Sequence, residues 1–441
     1  VAFWRTTGLL LFAALLPALR AQSASAAGDS RAAPPNILLI VADDLGYGDL
    51  GCYGGKDIRT PHLDRLAEQG IRLKHFYASA AVCTPTRASL MTGRYPQHFG
   101  FDWVIRYHEK DRGLPARGSS LPERLRQRGY ATALYGKWHL GYQPRFGPNA
   151  HGFQDFFGFL AADLDYYSHL DANGDPGLYA NTRLVDEEGY LTDLITSHAL
   201  AFLQLRREKP FFLEVAYNAP HFPFQPPDKP NDRRTRLSYG PEIGTRRDYI
   251  KMVERMDQGI GKLLAALEQS GRAKDTFVIF LSDNGGDRLA DNGPLFHGKY
   301  TLWEGGIRVP CLLRWPGVLS PGTVSSQPAI VMDLAAAMLA AAGAPDTSLD
   351  GENIVPILTG SMPARERTFF WRLPRPDDHF GQKAVRRGKW KYLYDREMVL
   401  LFDVDNDPGE RRNQANLHPD LVQGLRLALA EWESKLPAVR P

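Results

Sequence analysis

Short apolar runs that stop abruptly at polar residues fix the frame of this 441-residue chain. Asn36-Ile-Leu-Leu-Ile-Val-Ala42 and Thr276-Phe-Val-Ile-Phe-Leu281 are apolar without alternation, the pattern of strands buried on both faces of a parallel sheet. Residues 131–135 and 211–217 read as further strands of the same sheet, as do 71–78 and 311–314. Such a sheet needs helices on both faces, and helical patterns cover 62–69, 121–128, 191–206, 250–267 and 329–342. The expected fold class is therefore α/β: a large, mostly parallel sheet flanked by helices. Past residue 363 the pattern changes to short strands over 389–394 and 399–403 and a final helix over 419–436, so a smaller C-terminal α+β subdomain is expected over 363–441, after a main domain over 34–362.

The residues that end these strands carry chemistry. Asp43-Asp44 follows the first run, Gly136-Lys137-Trp138-His139 the second, Asn218-Ala-Pro-His221 the third, and Ser282-Asp283-Asn284-Gly285-Gly286 the fourth. In an open parallel sheet the C-terminal strand ends share one edge, where ligands bind, so residues far apart in sequence are predicted to meet in one crevice. Asp43 and Asp44 read either as a solvated turn or as half of a divalent-cation site built from oxygen ligands. Lys137 and His139 alternate, and in an extended segment they would point to the same side. Cys83-Thr84-Pro85-Thr86-Arg87 reads as a helix start, because Pro85 fits a first turn. Cys83 would then sit at the electropositive end, where a thiol ionises more easily and an anion is received by free N–H groups and Arg87.

Composition narrows the partners. A net charge of +3 without a dense basic block argues against nucleic acid, so an anionic substrate would need a local site. Residues 1–26 run from Arg5 through an apolar stretch to small residues, the layout of a secretory signal, with an uncleaved N-terminal anchor as the competing reading. The expected location is exported, periplasmic or secreted, with no stable membrane insertion after cleavage. Three cysteines make a poor disulfide framework and leave a Cys52–Cys311 bridge open. Residues 147–190 lack a clear period and read as loops over the active face, where 163–169 would contact a sugar or form a hydrogen-bonded surface loop. The acidic turn 405–410 reads as an ion site or, more simply, as side chains satisfying backbone groups.

The stretch from Cys83 to Gly93 meets the pattern Cys-x-Pro-x-Arg-x-x-x-x-Thr-Gly through Cys83, Pro85, Arg87, Thr92 and Gly93, and in this the chain resembles the sulfatase family of the alkaline-phosphatase-like superfamily. Residues 43–55, 292–299 and 304–310 look most like the branch containing N-acetylgalactosamine-sulfate sulfatases and arylsulfatases, with a departure at His297. The resemblance implies that Cys83 is oxidised to formylglycine by a formylglycine-generating maturation enzyme. It also implies one calcium ion held by Asp43, Asp44, Asp283, Asn284 and an oxygen of the converted Cys83. Calcium, Arg87, Lys137 and Lys299 would gather positive charge around the sulfate. His221 would protonate the leaving alcohol, with Lys299 as second candidate, and His139 would take the proton that lets sulfate leave. The implied substrate is a sulfated sugar or an aryl sulfate. The rivals are a phosphonate or phosphate diester hydrolase of the same superfamily and a non-catalytic, metal-dependent carbohydrate-binding protein whose Cys83 stays a thiol.

Overall fold

The structure, a computed structural model, describes residues 1–4, 33–205, 208–230, 243–374 and 381–437. Its contacts divide into two units, residues 1–33 and 34–441, and the second holds every element described below. Most of the leader read over 1–26 lies outside the described residues. Among the described residues no helix is long and apolar enough to cross a membrane.

Strands β1 (Asn36–Ala42), β2 (Ile71–Leu73), β3 (Phe76–Tyr77), β4 (Ala131–Lys137), β5 (Asp155–Phe159) and β6 (Tyr179–Ala180) come first in the chain. They are followed by β7 (Arg183–Leu184), β8 (Phe211–Ala216), β9 (Thr276–Ser282), β10 (Cys311–Arg314), β11 (Thr323–Ser325) and β12 (Ala329–Ile330). Ten of them form one sheet in the order β11-β2-β10-β9-β1-β8-β4-β5-β6-β7, while β3 and β12 pair separately. The five central strands, β9-β1-β8-β4-β5, are parallel; β10 closes against β9 antiparallel. Register aligns their C-terminal ends: Val41 and Gly136 both face Ala216, and Ala42 faces Ser282. Whatever follows those residues emerges along one edge.

Helices α1 (Pro61–Glu68), α2 (Cys83–Thr92), α3 (Leu121–Gln127), α4 (Leu191–Gln204) and α5 (Arg246–Gln269) cover the sheet together with α6 (Glu304–Ile307) and α7 (Val331–Ala341). Alternation along β1 divides the core. Ile37, Leu39 and Val41 pack with α2, α3 and α7, whereas Leu38, Ile40 and Ala42 pack with α1, α4 and α5. Helix α2 is buried from Cys83 through Met91, so no polar face marks it as a surface helix. It stops at Gly93, whose φ of 67° places it in the left-handed region that glycine reaches without strain.

Three elements differ from expectation. The strand read over 71–78 breaks at Lys74-His75, where β2 leaves the large sheet and β3 pairs with β12. Within 147–190, read as loops, Asp155-Phe-Phe-Gly-Phe159 forms β5; a Cβ on Gly158 would lie 2.0 Å from the Gly136 carbonyl oxygen, so this pairing needs glycine. At the C-terminal end, β13 (Thr368–Leu373), β14 (Gln382–Arg387), β15 (Trp390–Asp395) and β16 (Met398–Asp403) form an antiparallel meander. Its first two strands were not read because they carry arginines; Arg372 is buried against Asp102 and Arg386 against Asp405.

A buried ionic cluster joins this meander to the main body. Lys391 Nζ on β15 lies 3.0 Å from Glu304 Oε1 and 2.9 Å from Glu410 Oε1, and Glu304 also accepts from the Tyr77 hydroxyl at 2.7 Å. The acidic turn satisfies its own backbone: Asp403 accepts from Asn406 N–H and Asp407 from Arg412 N–H. All three cysteines are free. The Tyr53 hydroxyl, rather than the neighbouring Cys52 thiol, meets Cys311 through its backbone, so the bridge left open by sequence does not form.

Candidate active site

The strand ends and the start of α2 converge. Asp43 follows β1, and its Oδ1 lies 3.7 Å from the Cys83 Sγ at the first position of α2. Its Oδ2 accepts from Lys137 Nζ, the last residue of β4, at 2.6 Å. Asp44 accepts from Lys299 Nζ at 2.6 Å and from Asn284 Nδ2 at 2.7 Å. Arg87, one turn into α2, donates through Nε to Asp283 at 2.9 Å and through Nη1 to the Lys137 carbonyl at 3.0 Å. His221 brings Nε2 to 3.5 Å from Asp44 Oδ2, and its Nδ1–H donates to the Phe222 carbonyl at 2.7 Å. All these side chains are buried.

The donor set fits a hard divalent cation. Asp43, Asp44, Cys83 and His221 place ligand atoms within 4.8 Å of one another. Beside them, Asn284 Oδ1 is buried and accepts no hydrogen bond. Three carboxylates, Asp43, Asp44 and Asp283, face three cations, Arg87, Lys137 and Lys299, so the side-chain charges cancel. A divalent cation would leave the crevice with surplus positive charge, which suits an anion.

Burial and these pairs set the protonation states. Burial alone would raise Asp44, but Lys299, His221 and Lys137 outweigh it and hold the carboxyl at about 2. Burial and the Asp43 charge push Asp283 up to about 6 despite Arg87 and Lys137. Burial, then Lys299, drops His221 to about 3, and burial with Lys137 holds His139 well below its ordinary value. Cys83 departs from the expectation of an easily ionised thiol. Burial pushes it up to about 12, because removing a thiolate from water costs more than Lys137 and Lys299 return.

His139 reaches the site differently from the extended alternation expected of it. Strand β4 ends at Lys137, and His139 takes a φ of 54°. Its Nε2–H donates to the Ile105 carbonyl at 3.2 Å, leaving Nδ1 buried without a partner. Asp44, His297 and Tyr300 share this left-handed backbone, which costs a non-glycine residue about 1–2 kcal/mol. Strained residues beside a crevice that also gathers buried charges are a mark of a functional site.

Several supporting residues act in ways their sequence did not signal. Thr84 Oγ1 donates to the His139 carbonyl at 3.1 Å and accepts from Ile105 N–H at 3.2 Å, tying α2 to the His139 turn. The Tyr166 hydroxyl meets the carbonyl oxygens of Asn218 at 3.0 Å and His221 at 2.9 Å. Asp165 accepts from the N–H groups of Tyr167 and Ser168 and from Gln225 Nε2. Of the two readings of 163–169, the hydrogen-bonded loop thus describes Asp165 and Tyr166, which brace the His221 turn. A glycine seam completes the site: Gly285 N–H donates to the Gly306 carbonyl at 3.0 Å, and a Cβ on Gly285 would lie 1.8 Å from the Gly305 oxygen. Only glycine permits that approach beside Asp283 and Asn284.

Comparisons with known proteins place the chain in a family. A model of the Sulfatase family matches residues 35–344, and one described as N-sulphoglucosamine sulphohydrolase, C-terminal, matches 294–434. Arylsulfatase A of Homo sapiens is 34% identical, with 91% of this chain and 88% of the relative covered. N-acetylgalactosamine-6-sulfatase of Rattus norvegicus is also 34% identical, with coverage of 97% and 90%. Among solved structures, Ps i-CgsB in complex with k-i-k-neocarrahexaose superposes with a TM-score of 0.83 at 32% identity, covering 92% of this chain and 94% of that one. A family match over most of the length, relatives a third identical across both chains and a shared fold together establish that this chain belongs to the sulfatases, hydrolases of sulfuric esters.

Proposed function

We propose that this sulfatase is an exported enzyme that cleaves the sulfate monoester of a sulfated carbohydrate, using calcium and a formylglycine made from Cys83 by a maturation enzyme. The observation that carries the reading is the meeting of Cys83 with Asp43, Asp44 and His221 within 4.8 Å, beside the unpartnered Asn284 oxygen. Support for the sugar comes from the relative acting on an N-acetylgalactosamine sulfate and from the structural neighbour holding a neocarrahexaose. Residues 34–362 would form the catalytic part and 363–441 its C-terminal subdomain.

Asp43, Asp44, Asp283 and Asn284 would hold the calcium, with an oxygen of the converted residue 83. Calcium would supply positive charge to the sulfate oxygens, and the hydrated aldehyde would supply the attacking hydroxyl. Lys137 and Lys299, each 2.6 Å from a ligand carboxylate, fix those carboxylates and present ammonium groups to the sulfate. Arg87 donates through Nε to Asp283 and through Nη1 to the Lys137 carbonyl, with Nη2 ion-paired to Asp283 but without a hydrogen bond, so its part is to orient the ligand set while adding positive charge. His221, held through Nδ1–H by the Phe222 carbonyl, faces the crevice with an unprotonated Nε2, which would take up a proton beside the bound sulfate anion and pass it to the leaving alcohol; Lys299, already an ammonium, is the second donor. His139 offers Nδ1, the buried nitrogen without a partner, as acceptor of the proton whose loss releases sulfate.

The test joins peptide mass spectrometry across residue 83, after expression with a formylglycine-generating enzyme, to sulfate release from aryl sulfates and sulfated sugars. Conversion of the thiol to the aldehyde with sulfate release is expected, and Cys83→Ala is expected to fold and lose turnover. Full activity of that variant, or activity confined to phosphate or phosphonate esters, overturns the reading.

A further inference from the structure

Beside the sulfate crevice stands an aromatic wall that the chemistry above does not use. Tyr300 directly follows Lys299 and is 38% exposed, and its ring centroid lies 5.1 Å from Lys299 Nζ, the ammonium group bonded to Asp44. Its backbone is left-handed, with φ of 68°, and is pinned by an N–H bond to the Ala81 carbonyl at 3.0 Å, two residues before Cys83. A tyrosine rarely adopts that conformation, and the fold carries its cost without burying the ring. Trp103 faces Tyr300 with ring centroids 6.0 Å apart and planes tilted by 34°. Trp103 in turn lies two residues before Ile105, whose N–H and carbonyl are held by Thr84 and His139. The pair is therefore anchored to both sides of the crevice, to the Lys299 loop and to the His139 turn.

We infer that Trp103 and Tyr300 form a subsite that stacks against the ring of a sulfated pyranose, an inference that rests on the carbohydrate-sulfatase reading. The ester oxygen joins sulfur directly to the alcohol carbon, so a ring whose sulfate reaches Lys299 must lie against the groups flanking that lysine. A pyranose presents a face of C–H groups, and an exposed aromatic face removes it from water.

The experiment compares two ligands on calcium-loaded protein expressed without the maturation enzyme, so that Cys83 is unconverted and nothing is turned over. Calorimetry measures inorganic sulfate and a panel of monosulfated galactose, N-acetylgalactosamine and glucosamine. Tyr300→Gly keeps the left-handed backbone unstrained and serves as the main variant; Trp103→Ala is the second. The wild type is expected to bind at least one sugar sulfate more tightly than inorganic sulfate, and both variants to lose about tenfold or more of that affinity. Affinity for inorganic sulfate is expected to change by less than about twofold. Sugar affinity within that margin in Tyr300→Gly, equal losses for both ligands, or a wild type that binds no sugar sulfate better than inorganic sulfate would each overturn the subsite. A converted enzyme that binds sugar sulfates through this wall yet releases no sulfate would refute the functional reading and leave the subsite standing.

Discussion

Replacing Lys391 by methionine removes the single ammonium group held between Glu304 and Glu410 at 3.0 and 2.9 Å, where all three side chains are shielded from solvent. Methionine keeps the length of the chain, so the loss is electrostatic. Breaking one side of a buried ion pair costs about 3–5 kcal/mol, because the carboxylates left behind must either stay charged without a partner or take up protons. Glu304 retains the Tyr77 hydroxyl and Arg308 Nη1 at 3.4 Å, which places the expected cost in the lower half of that range. An unfolding entropy near 2.1 cal/mol/K per residue gives ~0.85 kcal/mol/K for a unit of this size, so the variant should melt about 3.5–5 °C lower. Differential scanning calorimetry reads this directly. Adding Glu410→Gln should recover part of the loss, since it removes one of the stranded carboxylates. A Lys391→Met protein melting within about 1 °C of wild type, or a double variant no better than the single one, would show that the cluster is not what joins the meander to the main body.

Glu214, in the middle of β8, is pushed up to about 8 by burial, against the opposing pull of Arg87. The folded protein keeps this proton after the unfolded chain has released it, so stability should fall as pH rises from the ordinary carboxylate range to about 8. Glu214→Gln removes that slope, and melting curves of both proteins from pH 5 to 8.5 check it; parallel curves would refute it. Tyr166→Phe deprives the His221 carbonyl of its donor, while the Asn218 carbonyl keeps the His221 N–H, and should cost about 1–3 kcal/mol in urea unfolding, with a fall in kcat as the His221 turn loosens. Asp283→Ala should weaken calcium about 10- to 100-fold or more by titration calorimetry, and unchanged affinity would remove it from the ligand set. Stripping calcium with a chelator should lower the melting temperature, the loss being about 2.7 kcal/mol when the ion stood at a hundred times its dissociation constant.

The fold was legible wherever burial was simple. β1, β4, β8 and β9 are apolar because both faces are covered, and their boundaries were readable to within about two residues. β5 escaped because five residues interrupted by Gly158 carry too short a pattern, and β13 and β14 because their buried arginines mimic a surface. Asp43, Asp44, Asp283 and Asn284 were legible because sheet topology alone brings strand ends together. His139 arrived by a left-handed turn rather than by strand alternation, and the thiol at 83 is governed by desolvation rather than by its helix terminus; both depend on packing, which a linear pattern does not encode. Tyr166 and Thr84 act through hydrogen bonds to distant carbonyls, and no local signature marks that role.

The contact between Gly285 and Gly305-Gly306 bears on how such an enzyme can change over time. Where a single Cβ would strike a carbonyl oxygen, almost every mutation is lost, so the backbone that presents Asp283 and Asn284 has very little room to drift. Tyr300 and His297, a few residues away on the same loop, are exposed, and only their left-handed backbone narrows what they can become. A library randomised across 285–306 should therefore return glycine at the seam and diversity at the rim, letting new specificities arise on a reaction centre that stays put.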